Sequence, residues 1–304
     1  MYPPARPLAL RLASLLAALL TALPAQAALI HAPGSAGSIR GALALAQPGD
    51  LVLIAPGRHA EGVSLEVSVG ITLRGGGARP EDTELSGAYM HQILSVAGDG
   101  AVTIENLSLR DGFGVRGGGL SVAGAQLTLR DLRFLRNAAA ADGGAIYAVQ
   151  AGLDLENCLF YANYASSGSG AALHIAGASP GGQPQRIAHC TFAANAGCCG
   201  GRSLVLADCA ADISNCILED VVCGAGVTAR FACNNGSTCG QSGDGNFIAD
   251  PRYCGFELAD CRLEPDSPCL PENNPDCGLI GAYGGCATTA AASTSFSAVK
   301  SLYR

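Results

Sequence analysis

The sequence predicts an all-β solenoid whose rungs are about 25 residues long. The first observation is a phrase written five times: I-E-N-L-S-L at 104–109, L-R-D-L-R-F at 129–134, L-E-N-C-L-F at 155–160, I-A-H-C-T-F at 187–192 and I-S-N-C-I-L at 213–218. Its centres, Asn106, Asp131, Asn157, His189 and Asn215, lie 25, 26, 32 and 26 residues apart. The second is an aliphatic residue two positions before every centre (Ile104, Leu129, Leu155, Ile187, Ile213), a column that points inward. The third is that apolar positions resume one and three residues after the centre, as in Leu107 and Leu109 or Cys216 and Leu218. Strict alternation cannot do this, so the centre must be a bend that resets it. Asn suits such a bend, because it tolerates left-handed backbone angles and its amide can bond to its copies one rung above and below. Asn106, Asp131, Asn157 and Asn215 are therefore assigned to a turn ladder, interrupted at Asp131 and His189. Asn137, Asn163 and Asn195 form a second column of the same kind.

The elements follow in chain order. Residues 1–27 read as an export signal: Arg6 and Arg11, a leucine-rich stretch, then Pro24 and the small-residue site Ala25, Gln26, Ala27. The apolar run is shorter than the roughly 20 residues that span a bilayer, so the mature chain is expected to carry no transmembrane helix. Ser38 can cap a short helix with Ile39, Leu43 and Ala46 on one face, ended by Pro48 and Gly49. With the strands at 51–54 and 69–73, this helix is expected to close the open first rung. The repeat occupies one domain, 28–286, and Gly177 to Gln185 is an inserted loop that accounts for the 32-residue step. Residues 287–304 are a Thr/Ala/Ser spacer with an amphiphilic end, read as a flexible tail that serves sorting or docking, or is simply a terminus.

Several phrases resemble known proteins. The helix followed by A-Q-P-G-D-L-V-L-I-A-P-G and V-G-I-T-L-R-G-G-G resembles the N-terminal part of right-handed parallel β-helix proteins of the pectin-lyase-like superfamily. Phe134 to Asn137, Phe160 to Asn163 and Phe192 to Asn195, with Gly143 to Ile146 and Gly170 to Leu173, resemble the F-x-x-N and G-G-A-I repeats of chlamydial polymorphic outer-membrane proteins. Gly245 to Pro251 and Asp266 to Cys269 are similar to the terminal rung of bacterial β-helix repeat proteins. The resemblance covers 38–286 and implies a single-stranded right-handed parallel β-helix with an N-terminal helix cap. It says little about activity, since this fold hosts many unrelated functions.

All fourteen cysteines lie between Cys158 and Cys286, an even number in a chain read as exported. Cys190 to Cys216 spans 26 residues, and Cys199 to Cys223 and Cys209 to Cys233 span 24 each, close to one rung. Equivalent Cα atoms on neighbouring strands sit within disulfide range, so these three pairs are predicted to be inter-rung bridges, with Cys198 interchangeable with Cys199. The later cysteines sit among turn residues and suggest a disulfide-tied C-terminal cap. No C-x-x-C or C-x-x-H pair occurs, so no metal site is assigned. The 234–246 loop is read as a polar turn, with calcium held by carbonyls and Asp244 as the alternative.

Charged residues are only 14% of the chain and the net charge is −7, which excludes a nucleic-acid binder. Outward columns pair opposite signs on adjacent rungs: Asp154, Arg186, Asp212 and Glu105, Arg130, Glu156. A polysaccharide lyase or glycosidase needs acids that converge on one face. The best set is Asp111, Asp142 and Asp154 with Arg110, Arg116 or Arg130; a second is Asp208 and Asp212 near Arg186. Because acids pair with arginines here, the preferred reading is a monomeric, non-catalytic surface or secreted module. It would bind carbohydrate or a cell-envelope component outside the cell, at the cell surface or outer membrane, or in the periplasm. The lyase or glycosidase is the alternative.

Overall fold

The computed structural model describes residues 27–98, 100–198, 202–241 and 243–286. The proposed signal (apart from Ala27), the 287–304 tail and Cys199 lie outside the described residues. Among those described, the chain is a parallel β-helix built from a 15-stranded, a 7-stranded and a 4-stranded sheet, with a separate two-stranded hairpin near its end.

The long sheet holds the repeated phrase. Ile104 faces Leu129, Leu129 faces Leu155, Leu155 faces Ile187, and Ile187 faces Ile213, all in parallel register and all buried. The centres Asn106, Asp131, Asn157, His189 and Asn215 have φ between 50° and 55°, the left-handed region. This bend splits the sheet into two halves and sends residues on both sides of it inward. A second left-handed column follows at Asp111, Arg136, Ala162 and Ala194. There the chain turns into the short sheet: Phe113–Gly114, Ala138–Ala139, Tyr164–Ala165 and Ala196–Gly197. The middle sheet, from Leu65–Val67 to Val221–Cys223, closes each rung.

The two Asn columns differ. Asn137, Asn163 and Asn195 form a continuous ladder in which the amide oxygens of Asn163 and Asn195 accept from the backbone N–H and Nδ2 of the preceding Asn at 2.9–3.1 Å, and that of Asn137 accepts from Gly112 N at 2.9 Å. In the first column, among the described residues, one side-chain bond joins neighbouring rungs, Asn157 Nδ2 to Asp131 Oδ1 at 3.3 Å. Asn106 instead donates to the carbonyls of Gly75 and Gly77, and Asn215 to those of Cys277 and Leu279. Those amides sit outside the barrel and tie down chain that crosses the bend.

Ser38 caps the helix Ile39–Leu45 by accepting from Gly41 N at 2.9 Å. Ile39, Ala42 and Leu43 cover the first rung. That rung is completed by a strand, Leu29–Ala32, which pairs with Leu51–Ile54 and precedes the helix.

The disulfide pairing departs from the inter-rung prediction. Cys223 bonds Cys239, Cys233 bonds Cys277 and Cys254 bonds Cys286. Cys223 is thus not available to Cys199, nor Cys233 to Cys209. Cys190 and Cys216 are free, buried thiols, as is Cys209. In-register parallel neighbours have parallel Cα–Cβ vectors, so their Cβ atoms are about 4.8 Å apart, beyond the roughly 3.8 Å that a disulfide prefers. A Cα spacing in range is not sufficient; Cys158, Cys190 and Cys216 stack as thiols in the core.

The C-terminal segment is more than an end cap. After Phe247 pairs with Asn235, residues 250–286 turn back along the outside of the long sheet's second half. Tyr161 donates its hydroxyl to Phe256 O at 2.7 Å, Gly281 N donates to Asn215 O at 2.7 Å, and Ala282 N to Thr191 Oγ1 at 2.9 Å. This strap covers the outward apolar residues Leu135, Leu159, Ala193 and Ile217, which are buried although they point away from the barrel. No helix among the described residues is long and apolar enough to cross a membrane.

Candidate functional site

The three aspartates singled out from sequence occupy three separate places. Asp154 lies on the outer face of the long sheet's first half, where Arg186 Nη1 is 2.7 Å and Arg130 Nη2 3.8 Å away. Glu156 takes the same two arginines at 3.5 and 3.6 Å, and Arg74 pairs with Glu105. Each pair is partly solvated, so it contributes little to stability, but together the pairs neutralise this face. Arg186 is in register with Asp212, yet its ion pairs are with Asp154 and Glu156, so the second acidic grouping does not assemble around it.

Asp111 sits at the corner leading into the short sheet. Its side chain is only 5% exposed and is ringed by Arg58 Nη2 at 3.4 Å, Arg110 Nε at 3.0 Å and Arg136 Nε at 3.0 Å. Arg110 also contacts Glu84 at 3.1 Å, and Arg58 donates to Ser86 Oγ at 3.0 Å. Those neighbouring charges hold the Arg110 guanidinium above its ordinary pKa against the opposing effect of burial, the largest single influence on it. Arg58 and Arg136 are 55% and 48% exposed, so this corner shows guanidinium to solvent and hides the carboxylate. Arg58, Glu84 and Arg136 were missed from sequence. A signal existed for Arg136, which follows Asp111 by 25 residues, one rung.

Asp142 stands at the opposite edge of the short sheet. Its Oδ1 accepts from Ser169 N at 3.1 Å, and Arg116 Nε lies 3.4 Å from Oδ2. His174 Nδ1 is 3.8 Å from Oδ1. The Arg116 guanidinium lies 5.2 Å over the Tyr147 ring, and Tyr147 neighbours His174 on the next rung. Burial lowers the His174 pKa, which keeps the imidazole neutral at pH 7.

Between these corners the short sheet is a narrow, open floor. Phe113, Ala138 and Tyr164 share its outward column in register. Phe113 and Tyr164 are each 42% exposed, two rungs or about 9.6 Å apart, with the small Ala138 between them. Tyr89, Met90 and Val115 are also exposed. The face thus combines aromatic walls, an alanine floor, and rims of Arg58 and Arg136 on one side and Arg116 on the other. Among the described residues, no group of three or more His, Cys, Asp or Glu gathers in a metal-binding arrangement.

No family model and no curated protein matches the chain. Among solved structures, the chain is similar to a PL6 family alginate lyase, AlyGC, at 13% identity and a TM-score of 0.25. The match covers 74% of this chain and 41% of that one, so the chain spans well under half of that protein's length. At that level the likeness carries no argument, and the fold rests on the strand register described above.

Proposed function

We propose that the protein is an exported, non-catalytic module that binds a polysaccharide along the short sheet. The observation that carries this reading is the gathering of exposed aromatic rings and half-exposed guanidiniums on one narrow face, while the Asp111, Asp142 and Asp154 carboxylates lie apart and paired with arginine. Aromatic rings offer an apolar surface to the C–H face of a sugar at low entropic cost. Guanidiniums at the rim suit hydroxyl or carboxylate groups. The export signal read at 1–27 and the three disulfides among the described residues support a location outside the cytoplasm.

The test is calorimetric titration with oligosaccharides of neutral sugars and of uronates. Phe113→Ala and Tyr164→Ala should each weaken binding by about tenfold, the loss of one stacking contact. Release of unsaturated ends from a polyuronate, abolished by Asp111→Asn or Tyr89→Phe, would instead establish the polysaccharide lyase.

A further inference from the structure

We propose that a second ligand site lies beneath the C-terminal strap and takes a small organic carboxylate. A cavity of about 440 Å³ opens between the strap and the long sheet, with Leu258, Asp260, Arg262 and Tyr283 on the strap side and Arg79, Glu81 and Arg133 opposite. That volume falls in the range of small-molecule pockets, roughly 300–1,000 Å³.

Its formal charges balance, with Arg79, Arg133 and Arg262 against Glu81, Asp82 and Asp260, but the pairing is uneven. Arg262 holds Asp260 through two short bonds, 2.7 Å from Nε and 2.6 Å from Nη2. Arg79 faces Glu81 at 3.3 Å and Asp82 at 3.6 Å. Arg133 is left with Glu81, already engaged, at a long 3.8 Å. Arg133 is only 16% exposed, and its Nε is fully buried with no hydrogen-bond partner. A buried guanidinium N–H without an acceptor is unfavourable by more than a typical hydrogen bond is favourable, and the part of the Arg133 guanidinium that lines the cavity has only its long contact to Glu81, so an anion there would complete its pairing. A carboxylate fits, because its two oxygens match the guanidinium fork. Leu258 and Tyr283 provide apolar walls for an organic body. Both sides of the molecule contribute, so a ligand here would bridge strap and solenoid.

The experiment titrates the full chain, at fixed ionic strength, with phenylacetate, glucuronate and inorganic sulfate. Saturable binding of at least one carboxylate, tighter than sulfate, is expected. Arg133→Gln should weaken it about tenfold, the effect of one charge-assisted hydrogen bond. Leu258→Glu should weaken it as well by placing a negative charge at the mouth; Leu258 is 86% exposed, so this variant tests the site even where Arg133→Gln fails to fold. Phe113→Ala should leave it unchanged, which separates this site from the short sheet. Absence of saturable binding by the unaltered chain, binding of sulfate equal to both carboxylates, or affinity indifferent to Leu258→Glu would overturn the proposal.

Discussion

A single amide at a corner holds several strands at once. Asn163 is buried, accepts from the backbone N–H and Nδ2 of Asn137, and donates to Phe134 O and Asn195 Oδ1. Asn163→Leu leaves donors and acceptors on three rungs without partners, and should reduce unfolding free energy by about 2–4 kcal/mol in urea titration. A loss below about 0.5 kcal/mol would show that the ladder is ornamental. Glu219 ends the same column, accepting from Ala194 N at 2.5 Å and Asn195 N at 3.0 Å. Burial is the main influence on its carboxyl and raises the pKa above the ordinary 4.5. Between 4.5 and that raised value the folded chain keeps a proton the unfolded chain has released, so this group's contribution falls as pH rises. Wild-type stability, measured relative to Glu219→Gln, should therefore decline as pH is raised from 4.5 toward neutrality; a relative rise would mean that the backbone N–H bonds outweigh burial.

At the scale of elements, the strongest packing is the column Phe134, Phe160, Phe192, whose rings stack at 4.9 and 4.6 Å and within 4° of parallel. Phe160→Ala opens a cavity between two rings and should cost about 3–5 kcal/mol, with Phe160→Leu costing less than half of that. Equal losses in denaturant titration would point to lost stacking, not lost volume. These inward columns were legible in the sequence because parallel in-register strands repeat one side chain at one spacing, and a column of Ile104, Leu129 and Leu155 cannot be read otherwise. The strand Leu29–Ala32 was not legible, since four residues carry too little alternation. The arginine ring around Asp111 was hidden for another reason: Arg58 comes from 53 residues earlier, and only the coiled path brings it there. The cysteines misled through geometry, because period brings Cα atoms within disulfide range while parallel Cα–Cβ vectors keep the Cβ atoms too far apart. The strap has no period at all, so its apolar residues could not be matched to the outward Leu159 and Ile217 that they cover.

The whole molecule joins two modes of stabilisation. A solenoid gains its stability from nearest neighbours, so rungs at one end sense those at the other only weakly. The strap breaks that locality by reaching from Cys277, bonded to Cys233 in a late rung, back to Tyr161 and Leu135, three and four rungs earlier. Its hold combines apolar contacts with the disulfide, which closes a loop across 44 residues and restricts the unfolded chain by about 4 kcal/mol in the chain-entropy model. Replacing Cys233 and Cys277 together by serine should therefore loosen the strap before the barrel. Amide hydrogen exchange is expected to quicken across 252–263 and 278–286 while the strands at 101–110 and 126–135 keep their protection. The uncovered outward face of Leu135, Leu159, Ala193 and Ile217 should then bind a hydrophobic dye and promote association between molecules. If exchange instead quickens evenly from the first rung to the last, the strap is one cooperative unit with the solenoid, and the bond at Cys233 secures the whole fold and not merely its outer layer.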